Sequence, residues 1–209
     1  STVEMPRFTP NIVGNYVFGL IVADAQNESL LDTVVVTVVS QVYTERSGMI
    51  EVPSGSFLMG SEGGLAGESP VHVANLSTFW IDSVEVTAAK YAVCVRENAC
   101  ITPGEQPGCN FGLAERDDHP INCVDYQGAS DFCGWAGKRL PTEAEWEKVA
   151  RGPNDQRRFP WGDEDPTLLV LQNPDLLLIN YNNQYGSTTV VGAFPDGVSP
   201  YGVHNLAGN

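Results

Sequence analysis

Apolar and polar positions alternate at the start of the chain. Tyr16, Phe18, Leu20 and Val22 follow Gly14-Asn15 in a period-two pattern that closes at Ala23-Asp24, which predicts a strand. Gln26-Asn27-Glu28-Ser29 supplies a turn, and the β-branched run from Asp32 to Val39 predicts a second strand. Two strands with one apolar face are marginal alone, so they are expected to complete a larger sheet. Ser40 to Gly48 is polar and turn-like and marks a boundary. From Met49 the texture changes to short strands, long loops and three helices. Thr87 is placed to cap a helix over 88–96, and Asp125 caps one over 126–135 that stops at Gly137. The third is the clearest. Thr142 with Glu145 forms a capping box, Trp146, Val149 and Ala150 supply the apolar stripe, and Gly152-Pro153 ends the helix. The resulting class is α+β, irregular and rich in loops.

Composition sharpens this picture. Across 209 residues, 26 Asp+Glu stand against 11 Lys+Arg, a net charge of −15. Phosphate neutralisation needs clustered Lys and Arg, so a nucleic-acid partner is excluded, as is docking on anionic lipid. No apolar stretch approaches the ~20 residues of a membrane helix, so no membrane insertion is expected. Gly and Pro number 21 and 14, above ordinary usage, which fits many turns. The chain begins at Ser1 without a signal-like segment and stops at Gly208-Asn209 without a closing element. We read it as a piece of a longer protein.

Of the five cysteines, Cys94, Cys100, Cys109 and Cys123 cluster, and Cys133 stands apart. None forms CxxC, and three histidines do not complete a usual zinc set with them. Disulfides in an oxidising compartment are favoured over buried thiols. Pairing stays open, because four cysteines allow three connectivities. His72, His119 and His204 are scattered and form no triad with a serine. Glu143, Glu145 and Glu147 are read as helix capping and a solvated face, Arg139 as half of a structural ion pair, and Trp135, Trp146 and Trp161 as core. Asn27-Glu-Ser29 and Asn75-Leu-Ser77 are glycosylation sequons, meaningful in a eukaryotic source.

Residues 1–40, with Gly14-Asn-Tyr16-Val-Phe-Gly-Leu20-Ile-Val-Ala-Asp24 and Asp32-Thr-Val-Val-Val-Thr-Val38, resemble the last strands of a PKD-type immunoglobulin-like sandwich. That likeness implies an extracellular spacer, joined by a linker over 41–48 to a second domain over 49–209. In the second domain, unusual strings occur in order: Val52-Pro-Ser-Gly-Ser-Phe-Leu-Met59-Gly60, Glu85-Val-Thr87, His119-Pro120, Cys133-Gly-Trp135-Ala-Gly-Lys-Arg139-Leu-Pro-Thr-Glu-Ala-Glu-Trp146-Glu, Phe159-Pro-Trp-Gly162 and Gly202-Val-His-Asn-Leu-Ala-Gly-Asn209. Together they closely resemble the formylglycine-generating enzyme family, the sulfatase-modifying factors. The resemblance implies a C-type-lectin-like fold, often calcium-bound. It also implies an oxidase that converts a protein cysteine, as in a sulfatase, to formylglycine, with copper held by two cysteines that match none of the five here. No catalytic residue is therefore named. Cys133 matches a family cysteine that often pairs with one in the C-terminal part.

The same resemblance places a calcium loop on Asn180, the Tyr181 carbonyl, Asn183 and the Tyr185 carbonyl. Asn183 stands where a carboxylate is usual, which weakens the site. Asn209 matches the first ligand of a second calcium loop, and Glu68 is a further candidate metal ligand. Three functions follow. One is a secreted, cell-surface or periplasmic formylglycine-generating-type oxidase with a sulfatase or other protein as partner. Another is a non-catalytic surface or binding protein reusing the fold. The third is a non-haem iron relative resembling sulfoxide synthases.

Overall fold

The computed structural model describes residues 14–20, 32–38, 46–153, 157–181 and 185–209. The chain divides into two compact units, Ser1–Glu45 and Arg46–Asn209. In the first, β1 (Gly14–Leu20) and β2 (Asp32–Val38) pair antiparallel from Gly14↔Val38 to Leu20↔Asp32. The other residues of the expected sandwich lie outside those described.

The second unit begins with a long two-stranded ribbon. β3 (Met49–Val52) pairs with β6 (Phe79–Asp82), and β4 (Gly55–Met59) pairs with β5 (His72–Leu76), both antiparallel. The register carries through: Val52↔Phe79 is followed, three residues on along each arm, by Gly55↔Leu76. Between them the ladder breaks at Pro53, which has no N–H to give. Ser54 N–H turns instead to Thr78 Oγ1 at 3.1 Å. One face of the ribbon carries Ile50, Val52, Leu76, Phe79 and Ile81 into a core shared with Val149, Tyr201, Val203 and Leu206.

Among the described residues, four α-helices follow. α1 (Ala88–Arg96) and α2 (Tyr126–Trp135) start at Thr87 and Asp125, whose side chains accept from the N–H groups of Lys90 and Gly128. They meet in a second core of Tyr91, Cys94, Cys100 and Phe132, where the Tyr91 and Phe132 rings stack at 5.6 Å. Gly128 permits that approach, because a Cβ there would lie 2.8 Å from Tyr91 Oη. α3 (Glu143–Arg151) opens with the predicted capping box. α4 (Pro166–Gln172) was not expected, although Asp165 before Pro166 carries the cap-plus-proline signature; Asp165 accepts from Thr167 N–H.

The structure corrects three expectations. The buried side of α3 is Glu145, Lys148, Val149 and Ala150, the first three an i, i+3, i+4 set. Trp146 lies off this side and is 44% exposed. Trp135 is also exposed, and its indole N–H donates to Glu97 Oε2 at 2.7 Å. Neither fills the core. Glu147 is not a solvated face residue either: it accepts Gly60 N–H at 2.7 Å and pairs with Arg151 at 3.2 Å. Glu143 is exposed, as read.

The Arg139 ion pair is present. Arg139 donates to both oxygens of buried Glu145, at 2.7 and 2.5 Å, while Glu145 also accepts Thr142 N–H at 2.8 Å. The guanidinium bonds, with the backbone bond from Thr142, hold the Glu145 carboxyl down at about 2 against the burial that would raise it. A depressed carboxyl stabilises the fold fully above its ordinary value near 4.5, and that contribution is lost as pH falls toward 2. With allowance for solvent screening at exposed Arg139, it amounts to about 2 kcal/mol. Glu145→Gln keeps the box but loses the charge. It should lose most of this at pH 7 and show a shallower acid decline in urea unfolding from pH 5 to 2; an unchanged acid limb would place the titration elsewhere.

Candidate functional site

Asn180 and Asn209 lie beside a seam where three loops meet, and Thr188 is its hub. Asn110, almost fully buried, donates from Nδ2 to Thr188 Oγ1 at 2.9 Å and to the Pro120 carbonyl at 2.7 Å. Arg116 Nη1 reaches Thr188 O at 3.3 Å and Oγ1 at 3.4 Å. His119 Nδ1 is 2.9 Å from the same Oγ1. Since Asn110 and Arg116 both donate to that oxygen, its one proton goes to His119 Nδ1, which assigns a neutral imidazole carrying its proton on Nε2. Burial first and the Arg116 charge second lower the His119 pKa, in agreement with that assignment.

The seam continues from Thr188. Thr189 donates its backbone N–H and its hydroxyl to Asn209 Oδ1, at 2.7 and 3.0 Å. Asn209 Nδ2 donates to Glu85 Oε1 at 3.1 Å, and Asn205 Nδ2 reaches both Glu85 oxygens at 2.9 Å. Turning the Asn205 amide over would set its oxygen against the carboxylate, so Asn205 Oδ1 is left buried without a partner. Glu85 thus gathers two asparagines more than a hundred residues away in sequence. It was quoted only as part of a motif, and nothing local announces this role.

Of the predicted ligands, Asn180 is buried and donates from Nδ2 to Ser187 O at 2.8 Å, closing the loop on which Tyr181 and Tyr185 stand. Gly208 packs against the Asn180 carbonyl, which a Cβ would approach to 3.3 Å, so Asn180 and Asn209 share one neighbourhood. Tyr181 and Tyr185 are exposed; the first shares a hydrogen bond with Thr167 Oγ1, and the second packs its ring on Phe194 at 5.8 Å. Asn183 lies outside the described residues. Glu68 sits elsewhere, in the β4–β5 connection, with its carbonyl accepting Ser61 N–H at 2.9 Å. Among the described residues no three His, Cys, Asp or Glu side chains converge on a common point for a metal.

The cysteines resolve into Cys94–Cys100 and Cys109–Cys123, with Cys133 free. Burial raises the Cys133 thiol, so it is a poor nucleophile as it stands.

Replacing Thr188 by Val keeps the shape and removes the oxygen that Asn110, Arg116 and His119 share, and should cost about 1–3 kcal/mol in chemical denaturation. Thr188→Ser should cost far less, because the hydroxyl is retained. Equal losses for both would mean that the methyl group, not the hydroxyl, holds the seam.

Known proteins are similar to this chain in sequence and fold. Residues 36–209 match the sulfatase-modifying factor enzyme 1-like domain. The chain is 32% identical to a formylglycine-generating enzyme of Thermomonospora curvata, over 78% of this chain and 69% of that protein. It is 27% identical to the formylglycine-generating enzyme of Bos taurus, over 77% and 55%. A hercynine oxygenase of Mycolicibacterium smegmatis is 30% identical over 76% of this chain and 43% of that protein. Among solved structures, PvdO from Pseudomonas aeruginosa superposes with a TM-score of 0.56 at 27% identity, over 77% of this chain and 67% of PvdO. The chain spans 51–71% of the length of the formylglycine-generating enzymes it matches. Fold, motif order and these likenesses agree, and the chain belongs to the sulfatase-modifying factor enzyme 1-like family.

Proposed function

We propose that the chain is the framework-bearing part of an extracytoplasmic oxidase of the formylglycine-generating type, acting on a cysteine of a sulfatase or another protein. The observation that carries this is the 32% identity to a formylglycine-generating enzyme across 78% of the chain. Two disulfides support an oxidising location. Residues 1–40 are read as the end of a PKD-like spacer before it. Copper does not fit the cysteines present: four are joined in two disulfides and Cys133 is alone on α2.

The whole protein, given copper and oxygen, should convert a cysteine peptide of sulfatase type to an aldehyde detectable by hydrazide labelling. Residues 1–209 alone should give none. Aldehyde from the short chain would contradict this reading, and none from the whole protein would favour a second one. That second reading is a non-catalytic binding protein, and the exposed Tyr126, Trp146, Leu168 and Leu171 favour it as contact-forming side chains.

Calcium is proposed at the Asn180–Tyr185 loop. Asn180 Nδ2 is held by Ser187 O, which leaves its oxygen for a cation, and the Tyr181 and Tyr185 carbonyls add oxygen ligands. Asn209 fits less well, because both lone-pair directions of its Oδ1 are taken by Thr189. Ligand binding to the native state alone raises the melting temperature, here at roughly millimolar calcium. Asn180→Ala should abolish the shift and Asn183→Asp should move it to lower calcium. Identical melting of all three with calcium and with chelator would reduce the loop to a turn.

A further inference from the structure

The two disulfides differ in access. Cys94 and Cys100 are sealed in the α1–α2 core, at 0% and 8% exposure. Cys123 is exposed and lines an open cleft of about 130 Å³ with Ile101, Pro103, Val124 and Asp125. Its φ of +59° is a left-handed conformation that a non-glycine residue holds only under constraint. Cys109, its partner, is buried.

The exposed bond also sits at the root of the Thr188 seam. Asn110 follows Cys109 and Asn122 precedes Cys123. Asn110 N–H donates to Asn122 Oδ1 at 2.8 Å, and Asn122 Nδ2 donates to Gly108 O at 2.8 Å, two rungs that flank the disulfide. From Asn110 the path runs to Thr188 Oγ1, and from Thr189 to Asn209 and Glu85. Asp118, inside the loop that the disulfide closes, accepts Val191 N–H at 3.0 Å. Opening the disulfide removes the covalent closure of the loop whose residues hold 188–191.

We propose that Cys109–Cys123 is a redox-modification site, reduced through the cleft by a small uncharged dithiol, whose state sets the order of residues 188–191 and of their tie to Asn209. The Asp125 carboxylate at the cleft disfavours anionic thiols. A thiolate of the dithiol attacks Cys123 Sγ, the Sγ–Sγ bond breaks, and the electron pair leaves on Cys109 Sγ, which takes a proton. The second thiol then displaces Cys123 from the mixed disulfide. The protein gains two electrons and two protons, and the dithiol departs as its own disulfide. Cys94–Cys100 stays closed and serves structure alone.

The test treats the folded protein with graded dithiothreitol, alkylates it, maps the labels by mass spectrometry, and follows amide exchange of Thr189 and Val191. Labels should appear on Cys109 and Cys123 before Cys94 and Cys100, with exchange at Thr189 and Val191 about tenfold faster in the same range. The double variant Cys109→Ser/Cys123→Ser should exchange fast with or without dithiol. Asn110→Ala, which leaves the disulfide in place, should speed the same two amides without any reductant. Simultaneous labelling of both pairs, or labelling of Cys109 and Cys123 with Thr189 and Val191 unchanged, would overturn the proposal.

Discussion

The break in the β ribbon at Pro53 is the constraint around which the second unit is arranged. A proline in the ladder removes a donor, and the regular pairing is interrupted between Val52↔Phe79 and Gly55↔Leu76. Lys148 of α3 binds two backbone carbonyls at this break. Its Nζ donates to Pro53 O at 2.8 Å and Gly55 O at 3.1 Å, from a side chain only 1% exposed. Desolvation lowers its pKa, and among the described residues it forms no ion pair with a carboxylate, so its bonds to carbonyls are what offset the burial. The same helix holds the next stretch: Glu147 takes Gly60 N–H and Arg151 Nη1 donates to Gly60 O at 3.0 Å. At the other end, Arg139 and Thr142 fix the start of α3 through Glu145.

This is a general solution for a domain with short elements and long loops. Backbone groups that no ladder satisfies must find side chains, since an unpaired buried group costs about 1–3 kcal/mol. α3 serves the ribbon in this way. Asn110, Arg116 and Asn122 serve the loops over 108–123 and 188, and Asn209 serves Thr189. Polar side chains thus carry much of the specification that sheets carry elsewhere, while the two apolar cores supply the driving force.

What could be read from the sequence was local. The Thr87 and Asp125 caps and the Thr142–Glu145 box are encoded within four residues, and so were legible. The motif reading assigned Arg139 an ion pair without naming its partner, and the structure supplies Glu145, six residues on. The phase of α3 was misjudged at Trp146, because periodicity gives an aromatic residue to the core and a lysine to solvent. Only the ladder break, 93–95 residues away, explains why Lys148 goes inward. Thr188 was hidden for the same reason: its partners Asn110 and His119 lie 78 and 69 residues upstream. The candidate ligands were placed by motif order, which put Asn180 and Asn209 in two separate loops and could not show that these share one neighbourhood or that Thr189 occupies the Asn209 oxygen.

Lys148→Met decides whether this account of the frame is right. Methionine fills nearly the same volume and removes the buried charge, so two effects oppose each other: relief of desolvation and loss of partners for two carbonyls. Equilibrium unfolding of the variant at neutral pH, with amide exchange across 53–60, separates them. The account predicts a loss of about 1–3 kcal/mol, with exchange rising over 53–60 while α3 keeps its protection. A variant as stable as the natural chain, or more stable, with 53–60 unchanged, would contradict it.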